Sequence, residues 1–216
     1  EIIFTSGGTE ANNLAIFGSV KGLKKGHIIA TKIEHASILE PCRQLAREGF
    51  AVTYLPVNRD GLVDPKELAQ ALRSDTVLVS IGYANNEIGV IQPIREITKI
   101  IRNFKKTASY KRQANSYPYF HTDACQAPRF LDCRAPTLGV DLMTLNSDKI
   151  YGPKGAGCLY VRRGINLSPI LYGGGQERGL RSGTENVPAI ADFATALELS
   201  VKLRAKESSR LAKLRD

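Results

Sequence analysis

The feature that most restricts the fold is the alternation of short apolar runs with longer amphipathic segments along almost the whole chain. Strand-like runs include HIIATKI, FAVTYLPV, TVLVSIGYA and DLMTLN, and helical spacing of apolar residues is seen in segments such as SILEPCRQLAREG and IREITKIIRNFKK. Strands that alternate with helices form crossover units and a largely parallel sheet. Because several runs are apolar throughout, helices should cover both faces of that sheet. The sequence therefore predicts a three-layer α/β fold with a mostly parallel sheet.

The chain has 216 residues, which is enough for one sizeable domain. We expect residues 1–186 to form this domain, and residues 187–216 to form a long helix. The first residues, EIIFT, begin abruptly as a strand, so we expect further sequence upstream. The segment TASYKRQANSY at 107–117 predicts a polar, basic loop.

Composition argues against several classes of protein. The apolar fraction of 43% and the charged fraction of 24% are ordinary for a soluble globular protein. No run approaches the ~18 apolar residues that cross a bilayer, and EIIFTSGGTE lacks the pattern of a signal peptide. The net charge is +9, but the basic residues are dispersed, which favours a solvated basic surface over direct nucleic-acid binding.

The cysteines argue against a zinc site and against a disulfide framework. Cys42, Cys125, Cys133 and Cys158 are widely spaced and form no CxxC pair. Reduced thiols in a cytoplasm fit this pattern best. Cys125 is interpreted as a small residue at a strand end, and the other three as structural.

Candidate functional residues should follow the strands, because ligands of such sheets bind beyond the carboxyl ends of the strands. Gly8 and Thr9 precede a helix whose free N–H groups and dipole would attract an anion, although a plain N-cap by Thr9 explains them better when they are taken alone. His35 would be a cap or surface residue, or would stack on a flat ring. Asn85 and Asn86 are typical of a turn, but their amides could also bind a phenolic oxygen or a carboxylate.

Two further strand ends carry ionisable side chains. Asp123, followed by Gln126, ends an apolar strand, and an acid is costly to bury without a cationic partner such as a pyridinium nitrogen. Lys149 follows DLMTL and precedes the turn YGPKG, and a desolvated amine there could act as nucleophile and base. An anion site, a flat-ring partner, an acid and an amine at successive strand ends together suit pyridoxal phosphate.

Longer segments resemble one family. They are FTSGGTEANNLAI, EHASILEPCRQLAREGFAVTYLPV, NNEIGVIQPI, HTDACQA, DKIYGPKGAGCLYVRR and GGGQERGLRSGTENV. From residue 1 to at least residue 205 the chain resembles the cysteine desulfurases of the NifS/IscS type, in the class V aminotransferase group with fold type I. The resemblance implies that residues 1–186 are the core of the large, cofactor-binding domain, and that the helix at 187–216 leads toward a small C-terminal domain absent from this chain. It also implies conversion of L-cysteine to L-alanine, with the sulfur left as a persulfide on an enzyme cysteine for iron–sulfur cluster or thiolation pathways.

The resemblance further implies roles for individual residues, with pyridoxal 5'-phosphate as the cofactor. Lys149 would bind the cofactor covalently and move the Cα proton of the substrate, and His35 would stack on the ring and assist proton transfer. Asp123 would pair with the ring nitrogen. Thr184 would reach the phosphate of a partner subunit, which implies a homodimer. The full set of implied cofactor-binding residues is Gly8, Thr9, His35, Asn86, Asp123, Gln126, Asn146, Ser147, Lys149 and Thr184.

The lysine motif departs from the family pattern, which is commonly Ser-x-His-Lys with the Ser and His donating to the phosphate. Here the block is Asn146-Ser147-Asp148-Lys149. The amide of Asn146 can still donate, but an ionised Asp148 cannot and would repel a phosphate. We therefore expect that Asp148 points away, that Ser147 substitutes, or that cofactor affinity is reduced.

Two other family features are expected beyond Asp216: the cysteine that accepts sulfur and the arginine that binds the substrate carboxylate. None of the four cysteines matches the acceptor, so this chain alone is expected to be inactive. A sulfur-acceptor or iron–sulfur scaffold protein would be the partner. The alternatives are a selenocysteine lyase or another class V lyase or transaminase, and a non-catalytic assembly partner.

Overall fold

The architecture is taken from a computed structural model that describes residues 1–107 and 117–216. The middle of the predicted basic loop, residues 108–116, lies outside the described residues. The strands are β1 (Ile2–Thr5), β2 (His27–Thr31), β3 (Ala51–Leu55), β4 (Thr76–Ser80), β5 (Tyr119–Asp123), β6 (Leu142–Asn146) and β7 (Gly157–Val161). The helices are α1 (Gly8–Val20), α2 (Ala36–Arg47), α3 (Pro65–Ala71), α4 (Ile94–Thr107), α5 (Ala135–Leu138) and α6 (Val187–Arg215).

The described strands form one seven-stranded sheet in the order β1-β7-β6-β5-β4-β2-β3. The pairs from β3 through β6 are parallel, while β7 runs antiparallel to both β6 and β1. The predicted α/β fold with a mostly parallel sheet is confirmed. The carboxyl ends of β2, β4, β5 and β6 therefore lie along the same edge of the sheet.

Each face of the sheet has its own apolar core. Neighbouring residues of a strand point to opposite faces, so Ile28 joins one core and Ile29 the other. The first core contains buried residues of α1 and α2, such as Leu14 and Ile38. The second contains residues of α3, α4 and α6, and Ile97 is one of them. This arrangement confirms the three predicted layers.

Local signals place some helix ends and misplace others. The helix α3 begins as predicted, with Asp64 accepting a hydrogen bond of 2.8 Å from the N–H of Lys66 and Pro65 in the first turn. The N-cap reading of Thr9 is wrong, because α1 begins at Gly8 and its N-cap is Gly7, which offers no side-chain oxygen. The short helix α5 was not predicted, because four residues are too few for a periodic pattern.

The outer edge of β1 is covered by the loop that precedes α6. The N–H of Phe4 donates to a carboxylate oxygen of Glu177 at 2.9 Å, and the guanidinium of Arg178 donates to the carbonyl of Ile2 at 2.6 Å. Both loop residues have left-handed backbone angles, with φ of 47° and 59°. These bonds satisfy backbone groups that an edge strand otherwise leaves open.

Over residues 1–107 and 117–216, no helix combines the length and the apolar character needed to cross a membrane.

Candidate active site

A cavity of about 310 Å³ opens where the carboxyl ends of β2, β4, β5 and β6 meet the start of α1. Short polar segments follow each of these parallel strands, so residues far apart in sequence converge there. Eight of the residues predicted for the site line the cavity: Gly8, Thr9, His35, Asn86, Asp123, Gln126, Asn146 and Lys149.

The carboxylate of Asp123 is held by two neutral donors. One oxygen accepts from the N–H of Cys125 at 2.9 Å, and the other accepts from the side-chain amide of Asn12 at 2.7 Å. A buried acid was expected to have a cationic partner. Within the described part of the chain, however, no cation forms an ion pair with Asp123. The site thus holds an oriented carboxylate on a cavity wall without a neutralising side chain.

His35 is the N-cap of α2, so its interpretation as a cap is confirmed. Its ring Nδ1 accepts the backbone N–H of Ser37 at 3.1 Å, and the hydroxyl of Ser37 lies 2.8 Å from the same nitrogen. The ring also lines the cavity. Capping and a position at the cavity are therefore compatible for this residue.

Lys149 lies in a single-turn helix at Ser147–Ile150, directly after β6. Its Nζ is 3.1 Å from a carboxylate oxygen of Asp148, and its side chain is 44% exposed. The expectation of a desolvated amine is therefore wrong for this structure. Asp148 is turned toward the amine and does not line the cavity, in agreement with the first of the three expectations for that residue.

Two predicted residues are not brought to the cavity. Ser147 is fully buried with its Oγ against Gly152, and this oxygen has no hydrogen-bond partner among the described residues. Thr184 lies at a separate cleft beside Arg181, which forms an ion pair of 2.8 Å with Glu10.

Asn85 and Asn86 lie in the turn region that follows β4. The side-chain oxygen of Asn85 accepts from the N–H groups of Glu87 and Ile88 at 2.8 and 2.9 Å, as its interpretation as a turn residue predicts. The side-chain nitrogen of Asn85 donates to the carbonyl of Ile33 at 2.8 Å, and both Asn85 and Asn86 line the cavity.

Sequence reasoning missed two polar residues at the cavity, one buried and one half-buried. Asn12 is 1% exposed and lies on the buried face of α1. Glu34 accepts from the hydroxyl of Thr31 at 2.6 Å and from the N–H of Gly82 at 3.0 Å. Burial, helped by the charge of nearby Asp123, raises the pKa of Glu34 to about 7. A carboxyl directly before the candidate His35 was the available signal for Glu34, and a polar residue inside an apolar helix pattern was the signal for Asn12.

Glycine at position 8 allows α1 to approach the segment that follows β5. A Cβ there would lie 2.8 Å from the Sγ of Cys125, closer than packed atoms come. Gly7 before it caps the helix without a side-chain hydrogen bond. The first turn of α1 therefore presents backbone N–H groups at the cavity, where the helix dipole favours an anion.

The chain is similar in sequence to proteins of one family. The family model for aminotransferase class V matches residues 1–214. Cysteine desulfurase IscS of Dictyoglomus turgidum is 49% identical over 218 residues, which covers 100% of this chain and 52% of that protein. Cysteine desulfurase IscS 1 of Archaeoglobus fulgidus is 44% identical over 218 residues, covering 100% of this chain and 54% of that protein.

Solved structures agree with these matches. A NifS-like protein superposes with a TM-score of 0.92 at 39% identity, covering 100% of this chain and 57% of that one. The structure of SspA in complex with cysteine gives a TM-score of 0.83 at 40% identity, covering 91% of this chain and 55% of that one. The chain spans about half the length of the curated relatives it matches.

The resemblance drawn from the sequence motifs is confirmed by these matches, which extend over nearly every residue of the chain. The seven-stranded sheet and the residues at its carboxyl edge agree with the same assignment. The chain belongs to the class-V aminotransferase family.

Proposed function

We propose that this chain forms the cofactor-binding part of a pyridoxal phosphate-dependent cysteine desulfurase. The enzyme would convert L-cysteine to L-alanine and leave the sulfur as a persulfide on a cysteine of the enzyme. The observation that carries the proposal is that the amine of Lys149 and the carboxylate of Asp123 line one cavity, although 26 positions separate them in the sequence. Residues 1–186 would be the large domain, and α6 would lead toward a small C-terminal domain.

The residues at the cavity fit pyridoxal phosphate. The N-terminus of α1, which has no side-chain cap and includes Gly8 and Thr9, suits a phosphate. The carboxylate of Asp123, which is held by neutral donors, suits a protonated ring nitrogen. The ring of His35 offers a flat face, and a volume of about 310 Å³ is of the order that small-ligand sites provide. The chemistry that this cofactor supplies when bound is an electron sink for charge that develops at the substrate Cα.

The side chains of the chain would then perform the remaining tasks. Lys149 would hold the cofactor and carry the proton to and from Cα, which requires its amine to leave the carboxylate of Asp148. His35 would exchange a proton near the substrate sulfur. The amides of Asn86 and Gln126 would bind the phenolic oxygen, and Asn86 would also lie near the substrate carboxylate.

The phosphate would be bound by groups from more than one element. Asn146 lines the cavity and would donate its amide, whereas Ser147 would have to leave its packed position beside Gly152 to contribute. Thr184, which lies at a separate cleft, would reach the phosphate of a partner subunit. The enzyme would therefore be a homodimer.

The proposed partners are L-cysteine as substrate and a sulfur-acceptor or iron–sulfur scaffold protein as the recipient of sulfur. The proposed location is the cytoplasm, which agrees with four cysteines that are all free.

The test uses the purified protein that carries this chain at its natural length, mixed with pyridoxal phosphate. We expect a visible absorbance band and release of alanine and sulfide from L-cysteine, and we expect Lys149→Ala to lose both. Lys154→Ala, which removes an exposed lysine of the same turn, is the matched control and should retain them. A folded protein without a band, or a band that persists in Lys149→Ala, would contradict the proposal.

Comparison of cysteine with cysteine sulfinate and selenocysteine as substrates separates a desulfurase from the related lyases.

A further inference from the structure

One hydrogen-bonded chain joins two walls of the cavity. The side-chain nitrogen of Asn12 donates to a carboxylate oxygen of Asp123 at 2.7 Å and to the hydroxyl oxygen of Ser37 at 2.8 Å. The hydroxyl of Ser37 in turn lies 2.8 Å from Nδ1 of His35. Residues from α1, from the start of α2 and from the end of β5 are thereby connected through side chains alone.

The direction of each bond follows from chemistry. The amide nitrogen of Asn12 has two hydrogens and both are used, since a carboxylate can only accept. The opposite orientation of the amide would place its carbonyl against Asp123. In the observed orientation the carbonyl oxygen of Asn12 is buried without a hydrogen-bond partner in the described part of the chain. An unpaired buried oxygen is costly, so the bond to the carboxylate decides the orientation.

The same logic assigns the proton on His35. The oxygen of Ser37 accepts from Asn12, so its own hydrogen is free for Nδ1 of His35. The backbone N–H of Ser37, which can only donate, points at this nitrogen too. Nδ1 is therefore an acceptor, and the proton of the neutral ring is on Nε2.

We propose that Asn12 and Ser37 are positioning residues that tie Asp123 to His35 and keep His35 in the tautomer with its proton on Nε2. The catalytic part of this inference rests on the proposed function. His35 then offers an N–H to a molecule in the cavity, and its ring and the carboxylate of Asp123 are fixed relative to each other. A planar ligand held between these two groups would meet a prearranged pair of walls.

The first experiment needs neither cofactor nor activity. Imidazole nitrogen NMR spectra are recorded on histidine-labelled protein at mildly alkaline pH, with His35→Asn to assign the signals. We expect Nδ1 at the shift of an unprotonated nitrogen and Nε2 at that of a protonated one. A protonated Nδ1 in the wild-type protein would overturn the inference, and this result does not depend on whether any variant folds.

The second experiment asks whether Asn12 acts on a ring that it does not touch. Asn12→Ala should weaken the bond from Ser37 and shift the Nδ1 signal of His35. In a Ser37→Ala background the same change should add nothing, because the link is already broken. Asn13→Ala is the matched control: Asn13 is the next residue of α1, and among the described residues its amide bonds only to the carbonyl of Thr9. An unchanged His35 signal in Asn12→Ala would overturn the inference.

Activity gives an independent readout in the cofactor-loaded enzyme. Asn12→Ala and Ser37→Ala should each lower kcat roughly tenfold, with a much smaller change in KM, and Ser37→Thr, which keeps the hydroxyl, should restore kcat. An equal loss in Ser37→Thr would contradict a role for the hydroxyl. A wild-type protein without desulfurase activity but with the expected spectra would refute the proposed function and leave the hydrogen-bonded chain standing.

Discussion

Asp148 and Lys149 are adjacent in sequence, and their ion pair of 3.1 Å is partly exposed, with side chains 29% and 44% accessible. Such pairs contribute little to stability. Asp148 instead competes with a molecule in the cavity for the amine of Lys149, because the amine must leave the carboxylate before it can act on that molecule. The substitution of Asp for the family's His at this position therefore bears on cofactor binding.

We expect Asp148→Asn to bind pyridoxal phosphate roughly twofold to fivefold more tightly, the range that a partly exposed ion pair allows. The dissociation constant is measured by absorbance titration of the cofactor-free protein. The matched control is Asp132→Asn, which removes the surface ion pair with Arg134 and should not change binding. Weaker binding in Asp148→Asn would show that this carboxylate supports the site.

The strand β7 packs tightly against the N-cap of α1 at Gly157. A Cβ at Gly157 would lie 2.7 Å from two backbone atoms of Gly7, and backbone atoms cannot rotate away as a side chain does. Gly7 is the N-cap of α1, so a displacement there would also move the first turn of the helix. Glycine at position 157 is therefore required by packing between elements.

We expect Gly157→Ala to reduce the free energy of unfolding by about 1–3 kcal/mol, as overpacking does. The control Gly175→Ala should change it by less than about 0.5 kcal/mol, since a Cβ there meets no heavy atom within 4 Å among the described residues beyond its chain neighbours. Urea unfolding of the cofactor-free protein measures both. Equal midpoints for the two variants would refute this account of the contact.

Some elements were predictable because their signals are local. The amphipathic pattern of α4, the Asp64-Pro65 start of α3 and the apolar runs of β2 and β4 depend only on neighbouring residues. The helix start at Gly8 was not predictable in this way. Its N-cap, Gly7, offers no side-chain oxygen as a signal, and packing of Gly8 against Cys125 and of Gly7 against β7 sets its position.

At the scale of the whole molecule, two buried ionisable groups respond to pH in opposite directions. Burial lowers the pKa of His121 from 6.5 to about 4, against the attraction of Asp123, so its contribution to stability is present above pH 6.5 and is lost as the pH falls toward 4. Burial raises the pKa of Glu34 from 4.5 to about 7, so its contribution is present below pH 4.5 and is lost as the pH rises through 7. The two slopes oppose each other between pH 4.5 and 6.5.

We expect Glu34→Gln, which keeps an oxygen for Thr31 and Gly82, to abolish the decrease in folding stability with rising pH that Glu34 causes. Stability of the variant should rise with pH from 4.5 to 6.5 and stay constant through 7, whereas the wild-type protein should be nearly flat and then decline. The slope of one group is at most about 1.4 kcal/mol per pH unit. Urea unfolding across this range measures it, with Glu67→Gln of α3 as an exposed control. Parallel curves for the wild type and Glu34→Gln would contradict the assignment.

The sequence alone identified those residues of the candidate site that directly follow a strand, because their place at the edge of the sheet depends only on that position. The sheet is parallel from β3 to β6, so the strand ends share one edge, and Lys149, Asp123, His35 and Asn86 meet there as predicted. Ser147 was selected by resemblance, and the structure packs it beside Gly152 instead of at the cavity. Thr184, which the resemblance assigns to the phosphate of a partner subunit, lies at a separate cleft.

The sequence by itself determined the order of the elements, the fold class, the family and the strand-end residues, because these depend on local pattern and on the geometry common to parallel sheets. The tertiary structure alone decided the burial of Asn12, the position of Glu34 at the cavity, the ion pair of Lys149 and the hydrogen-bonded chain from Asp123 to His35. Partners in such a chain are up to 111 positions apart. Their contact depends on how the helices pack on the sheet and on which hydrogen-bond donors lie near a buried acceptor. A local sequence pattern encodes neither of these two factors.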